Sequence, residues 1–174
     1  MILGMSTATF TALHVAISLL GIVSGLIVMY GLLNAKRLDR WTAVFLASTA
    51  LTSLTGFAFP NEHVTPGQVI GGLSLVVLVI AAAARYGLHL NGAWRWIYVV
   101  SAAVALYFNV FVLVVQSFEK VPALRALAPT QKEPPFAVTQ LLVLVVFAWL
   151  TVLAVRRFRA DGLRSVPGIR NRAA

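Results

Sequence analysis

Cysteine is absent from all 174 residues. That excludes disulfides, thiolate metal sites, thiol nucleophiles and thioether-linked haem, and it removes redox chemistry as a guide to compartment. Acidic residues are scarce, with 5 Asp and Glu against 14 Lys and Arg. Charge of either sign makes up 11% of the chain, less than half the share of about 25% usual in a soluble domain. No Asp, Glu, Lys or Arg lies near the middle of a long apolar block, although ion-coupled carriers and proton pumps often mark their pathway with one. The GxSxG elbow, the GxxxxGKS/T phosphate loop and the GxGxxG turn are missing too, so an enzymatic activity has no support and the reading leans towards a non-enzyme.

What is present is apolar sequence, 60% of the chain, gathered into long uncharged blocks. A helix rises about 1.5 Å per residue, so about 20 residues cross a hydrocarbon core of roughly 30 Å. Five blocks meet that measure and predict spans over residues 11–33, 41–59, 66–84, 94–118 and 136–155. The chain therefore reads as one all-α transmembrane domain over residues 1–160, with a basic tail over 161–174 that is expected to be disordered. Met1 to Phe10 hold no Lys or Arg and no clear cleavage site, so the first block is expected to be retained. Short connectors make the first four spans antiparallel neighbours, and the expected architecture is a four-helix core with the fifth helix on its flank.

The formal charge of +9 sits beside the apolar blocks, which points to a membrane surface rather than nucleic acid. Lys36, Arg37 and Arg40 fill the first connector, and Arg85 and Arg95 bound the third. Arg156, Arg157, Arg159, Arg164, Arg170 and Arg172 follow the last span. The second connector has Asn61, Glu62 and His63, and the fourth mixes Glu119, Lys120, Arg125, Lys132 and Glu133. The positive-inside rule then puts the N-terminus outside and the C-terminus in the cytoplasm, with anionic lipid as partner on the inner face. Tyr30, Trp41, Tyr86, Trp94 and Trp96 would form the inner aromatic belt, and Phe59, Phe118 and Phe136 the outer one. In the fourth connector, Val121, Leu124 and Leu127 predict a short surface helix. Ala128 to Pro135, with three prolines, should be irregular.

Lipid is as apolar as leucine, so small and polar residues mark the faces where helices meet. His14, Ser18, Gly21 and Gly25 share a stripe on the first span, and Ser48, Thr49, Thr52 and Gly56 on the second. Gly67, Gly71, Ser74 and Ala81 do so on the third, and Tyr98, Ser101, Ala102, Ala105, Asn109 and Gln116 on the fourth. The GxxxG pairs Gly21–Gly25 and Gly67–Gly71 are expected to pack within the bundle, with homo-oligomerisation as the alternative. Ser18-Leu19 matches Ser74-Leu75, and Tyr30-Gly31-Leu32 matches Tyr86-Gly87-Leu88, an offset of 56 residues. That would make the first two hairpins a parallel repeat.

Candidate ligand-binding groups are His14, Asn109, Gln116 and Gln140, with Glu62, His63 and Glu119 completing a polar vestibule at the outer end. Asn109, in mid-span, must face the bundle, because an unpaired amide in hydrocarbon is costly. No paired HxxxH or HxxE spacing is present, so no metal site is expected. No cofactor is required. A haem would have to use His14 with His63, and a quinone would need only His14 or Gln116 beside an apolar slot.

The segments WRWIYVV, LYFNVFVLVVQSF and KVPALRALAPTQKEPPF, with LHVAISLLGIVSG in the first span, resemble a group of small bacterial polytopic inner-membrane proteins without an assigned activity. The resemblance implies a bacterial inner membrane and lends no catalytic residue. The leading expectation is a non-enzymatic bundle that acts as an accessory or scaffold component beside a membrane-protein partner, or that binds a lipophilic ligand. The rivals are a small-solute transporter or channel and a haem- or quinone-binding redox protein.

Overall fold

A computed structural model describes residues 2, 4–60 and 63–158. Asn61, Glu62 and everything from residue 159 onward, including the basic tail, lie outside the described residues. Side-chain caps open α1 and α3, while α2 and α4 start without one. The Ser6 hydroxyl accepts from the Thr9 N–H at 3.1 Å and opens α1, Thr7–Leu33. Helix α2, Asp39–Gly56, begins with an acidic residue in its first turn. Helix α3, Pro66–Ala82, has proline at its start and a capping box between Thr65 and Gln68. Helix α4 runs Trp94–Lys120, the short α5 Pro122–Leu127, and α6 Pro134–Phe158. Glu133 stands before the two prolines that open α6, and its carbonyl accepts from Phe136 and Ala137.

Four helical runs are long and apolar enough to cross a membrane: α1, Pro66–Gly87, α4 and α6. Helix α2 is not among them. Its composition is diluted by hydroxyl residues, and these are its buried side: Thr42, Ser48, Thr49 and Ser53 are buried while Val44, Leu51 and Leu54 are exposed. Other helices also bury small hydroxyl residues beside their apolar core and expose large apolar ones. Ser24, Ser74 and Ser101 are buried, whereas Val76 and Val79 on α3 and Leu141, Leu142 and Trp149 on α6 are exposed. A water-soluble bundle would show the reverse pattern. This arrangement, with the four apolar helices, points to membrane insertion.

Helices α1, α2, α3 and α4 form a ring in which each packs on the next and α4 closes on α1, while α6 lies outside against α4 and α1. Gly25 sets the closest approach in the ring. A methyl group there would meet Leu106 Cδ1 at 2.5 Å and the Phe45 ring at 2.8 Å. A methyl at Gly21 would press on Thr49, Ser48 and Asn109 at 3.2–3.4 Å. The second GxxxG pair is looser. A methyl at Gly71 would meet the Ser53 carbonyl at 3.6 Å, and one at exposed Gly67 would meet only the cap residue Thr65, at 3.8 Å.

Helix α3 ends in a wide π-turn over Ala83–Gly87, in which the Leu88 N–H bonds to the Ala83 carbonyl at 2.9 Å. The chain then reverses through His89 and Leu90, both left-handed at φ 50° and 59°. Leu90 is buried and His89 exposed. The exposed aromatics Tyr30, Trp41, Tyr86, Trp94 and Trp96 sit around the connectors at this end of the helices, the place of an interfacial belt.

Two stability outcomes follow, readable by thermal unfolding in detergent. Gly25→Ala should cost about 1–3 kcal/mol through overpacking against Phe45 and Leu106, while Gly67→Ala should be close to neutral. His89→Gly should raise stability, by up to about 1 kcal/mol, because it relieves a left-handed backbone without removing buried contacts.

Candidate functional site

The structure places the candidate polar residues in three separate contacts between helices rather than around one opening. At the end where α1 begins, His14 Nδ1 lies 2.8 Å from the Thr55 hydroxyl of α2. That hydroxyl donates to the Leu51 carbonyl at 2.7 Å. It must therefore accept from His14, which puts the imidazole proton on Nδ1. The ring also stands edge-on to Phe59, at 5.2 Å between centroids. Midway along the bundle, Asn109 Nδ2 of α4 donates to the Thr49 hydroxyl of α2 at 2.9 Å. Gly21 of α1 leaves the space that this pair occupies. Gln140 Nε2 of α6 donates to the Phe111 carbonyl of α4 at 3.2 Å and so ties the flanking helix to the ring. The Gln140 side-chain oxygen and the Thr52 hydroxyl are buried without a hydrogen-bond partner.

The remaining vestibule residues do not join these contacts. Gln116 and Glu119 are exposed on α4, and His63 is exposed in its connector. Glu62 lies outside the described residues. His89 sits at the opposite end of the bundle from His14. Among the described residues, no three His, Asp or Glu side chains come together.

Sequence reasoning took Arg85 for a connector cation, and here the structure differs. Arg85 is buried at 7% exposure. Its guanidinium pairs with the Asp39 carboxylate at the start of α2. It also stands over the Tyr98 ring at 5.0 Å and beside Tyr86 at 5.9 Å. The Tyr98 hydroxyl lies 3.3 Å from that of Thr42, so one cluster joins α2, the π-turn and α4. Asp39 itself remains 80% exposed, which keeps the pair near water and moderates its strength. A signal was present in the sequence. Arg85 continues the stripe Gly67, Gly71, Ser74, Leu78, Ala81 at alternating steps of four and three residues.

At the far end of α4, an open groove of about 340 Å³ is lined by Phe118, Glu119, Lys120, Arg125, Pro129, Thr130 and Gln131. The loop forming its rim is held from within. Gln131 takes a left-handed backbone, φ 58°, and its side-chain amide donates to the Val115 carbonyl at 3.1 Å. The Thr130 hydroxyl donates to the Glu133 carboxylate at 2.8 Å, and the Lys132 N–H does so at 3.0 Å. Slight desolvation acts to raise the Glu133 pKa, but these hydrogen bonds outweigh it and hold the group below the ordinary glutamate value. Phe118 forms the buried floor, edge-on to Phe136 at 5.4 Å between centroids.

The Asn109–Thr49 contact can be measured directly. A double-mutant cycle of Asn109→Leu and Thr49→Val, followed by unfolding in mixed micelles, should give a coupling of about 0.6–1.7 kcal/mol, the range for interhelical hydrogen bonds in membrane bundles. No coupling would mean that the amide is satisfied elsewhere.

No protein-family model, curated protein or solved structure matches the chain.

Proposed function

We propose that the chain is a five-span protein of a bacterial inner membrane, with its N-terminus outside and its C-terminus in the cytoplasm. In this reading α2 is the fifth span. Val44, Leu51 and Leu54 face outward, its hydroxyls Thr42, Ser48, Thr49 and Ser53 are buried, and it lies in the chain between helices of membrane-spanning length. Lys36, Arg37, Arg40, Arg156 and Arg157 then meet the anionic inner leaflet.

Within that membrane the protein acts as a non-enzymatic accessory bundle that holds a lipophilic molecule at its outer end. One observation carries this reading. The imidazole of His14 and the amides of Asn109 and Gln140 are all engaged in bonds between helices. Those groups serve cohesion, and the groove where α4 meets α5 is an opening at the same end of the bundle as His14. The groove joins an aromatic floor to a charged rim, the make-up of a site for an amphiphile at the level of the headgroups.

Two measurements test the proposal. Reporter tags at the two termini should be labelled from opposite sides of the membrane, and labelling from the same side would refute the five-span topology. Protein purified from native membranes in mild detergent should carry a stoichiometric lipophilic molecule, seen by native mass spectrometry. Recovery as a lone, ligand-free monomer would remove the binding role.

A further inference from the structure

The groove at the outer end of α4 contains polar groups of two kinds. Thr130 and Gln131 already donate within the protein, to Glu133 and to the Val115 carbonyl. Lys120 and Arg125 are exposed, and neither has a carboxylate partner among the described residues. The nearby carboxylate that would compete for them, Glu133, accepts instead from Thr130 and Lys132. Glu119 is the acidic residue in the lining, so the lining carries two positive charges and one negative. That balance suits an anion of about one charge.

We infer that this groove binds a phosphate-class oxyanion, borne by a lipid headgroup or free in solution, with Lys120 and Arg125 as its donors. The inference rests on the proposed reading of the groove as the ligand site and names the chemistry it recognises. Arginine presents a planar fork and lysine a mobile point charge, and both are donors suited to phosphate oxygens. The volume of about 340 Å³ falls at the small end of ligand pockets, about 300–1,000 Å³. Placement agrees with the chemistry. Val121, just before α5, and Leu127 at its end are exposed apolar residues on either side of Arg125 in the chain, so α5 would lie with them in the interface, where headgroup phosphates stand. In the proposed orientation these cations also occupy the side that the positive-inside rule disfavours. Insertion therefore gives no reason for them, and a ligand does.

The test uses the full-length protein in a neutral detergent, titrated calorimetrically with inorganic phosphate, with dihexanoyl phosphatidic acid, and with dihexanoyl phosphatidylcholine as the probe of no net charge. The wild type should bind phosphatidic acid at least tenfold more tightly than phosphatidylcholine. Replacing both cations, Lys120→Gln with Arg125→Gln, should weaken phosphatidic acid by about tenfold or more. Lys132→Gln, in the same connector but outside the groove, should bind as wild type. Binding of inorganic phosphate that shows the same dependence on Lys120 and Arg125 supports a free anion as the source, and binding of the lipid alone supports a headgroup. The inference is overturned if neither phosphate probe binds, if the double variant binds as wild type, or if Lys132→Gln loses as much as the double variant. Such a failure leaves the five-span topology standing, since tag sidedness is read without phosphate. It also leaves open to native mass spectrometry a ligand of other chemistry.

Discussion

Polar groups enclosed by an apolar surround must find partners inside the protein, and the bundle is organised by that constraint. Ser24, Ser48 and Ser101 meet it alone, by donating to carbonyls one turn back in their own helices. Asn109 and His14 cannot, and each reaches across to a threonine of α2. Those reaches require short distances between helices. Gly21 supplies one by leaving room beside Thr49 and Asn109, and Gly25, a turn further on, brings α1 against Phe45 and Leu106. Close approach and internal pairing are thus the same feature seen from two sides. Dispersion at the glycine seam adds to the cohesion where hydrophobic association between lipid-facing helices would add little.

The two ends of the bundle are built differently. The end bearing the π-turn is tied together. Asp39, Arg85, Tyr98 and Thr42 link three elements around one buried guanidinium, and exposed tryptophans and tyrosines surround them. The other end is braced at its edges, by His14 with Thr55 and by Phe118 with Phe136, but it keeps an open groove between α4 and the loop after α5. The side-chain ties that join three elements are thus found at one end and the open groove at the other.

Helix positions were legible because each block of apolar sequence is closed by an unambiguous stop. The expected span over 94–118 is α4, Trp94–Lys120, and that over 136–155 is α6, Pro134–Phe158. The surface helix anticipated from Val121, Leu124 and Leu127 is α5. Seams were legible where small residues sat against a neighbouring helix, as at Gly21 and Gly25, and less so at Gly67, which lies exposed in the first turn of α3. The candidate site was read less well. A stripe pattern tells which way a side chain points but not what it meets, so His14, Asn109 and Gln140 looked like lining groups when each has a partner on a neighbouring helix. Gln116 lies seven residues beyond Asn109, almost two full turns, and yet is exposed. Arg85 was missed because a charge next to a connector is normally solvated. Its burial depends on Asp39, 46 positions away, and on two tyrosine rings.

The inverted polarity of α2 has a consequence for how the chain is made. A segment with Thr42, Ser48, Thr49 and Ser53 on one side would enter the bilayer poorly on its own, because those hydroxyls would be left facing acyl chains. It becomes compatible with lipid once neighbouring helices cover them, as Tyr98 and Asn109 of α4 do for Thr42 and Thr49. On the five-span reading, α2 would then enter the membrane together with its neighbours and not ahead of them.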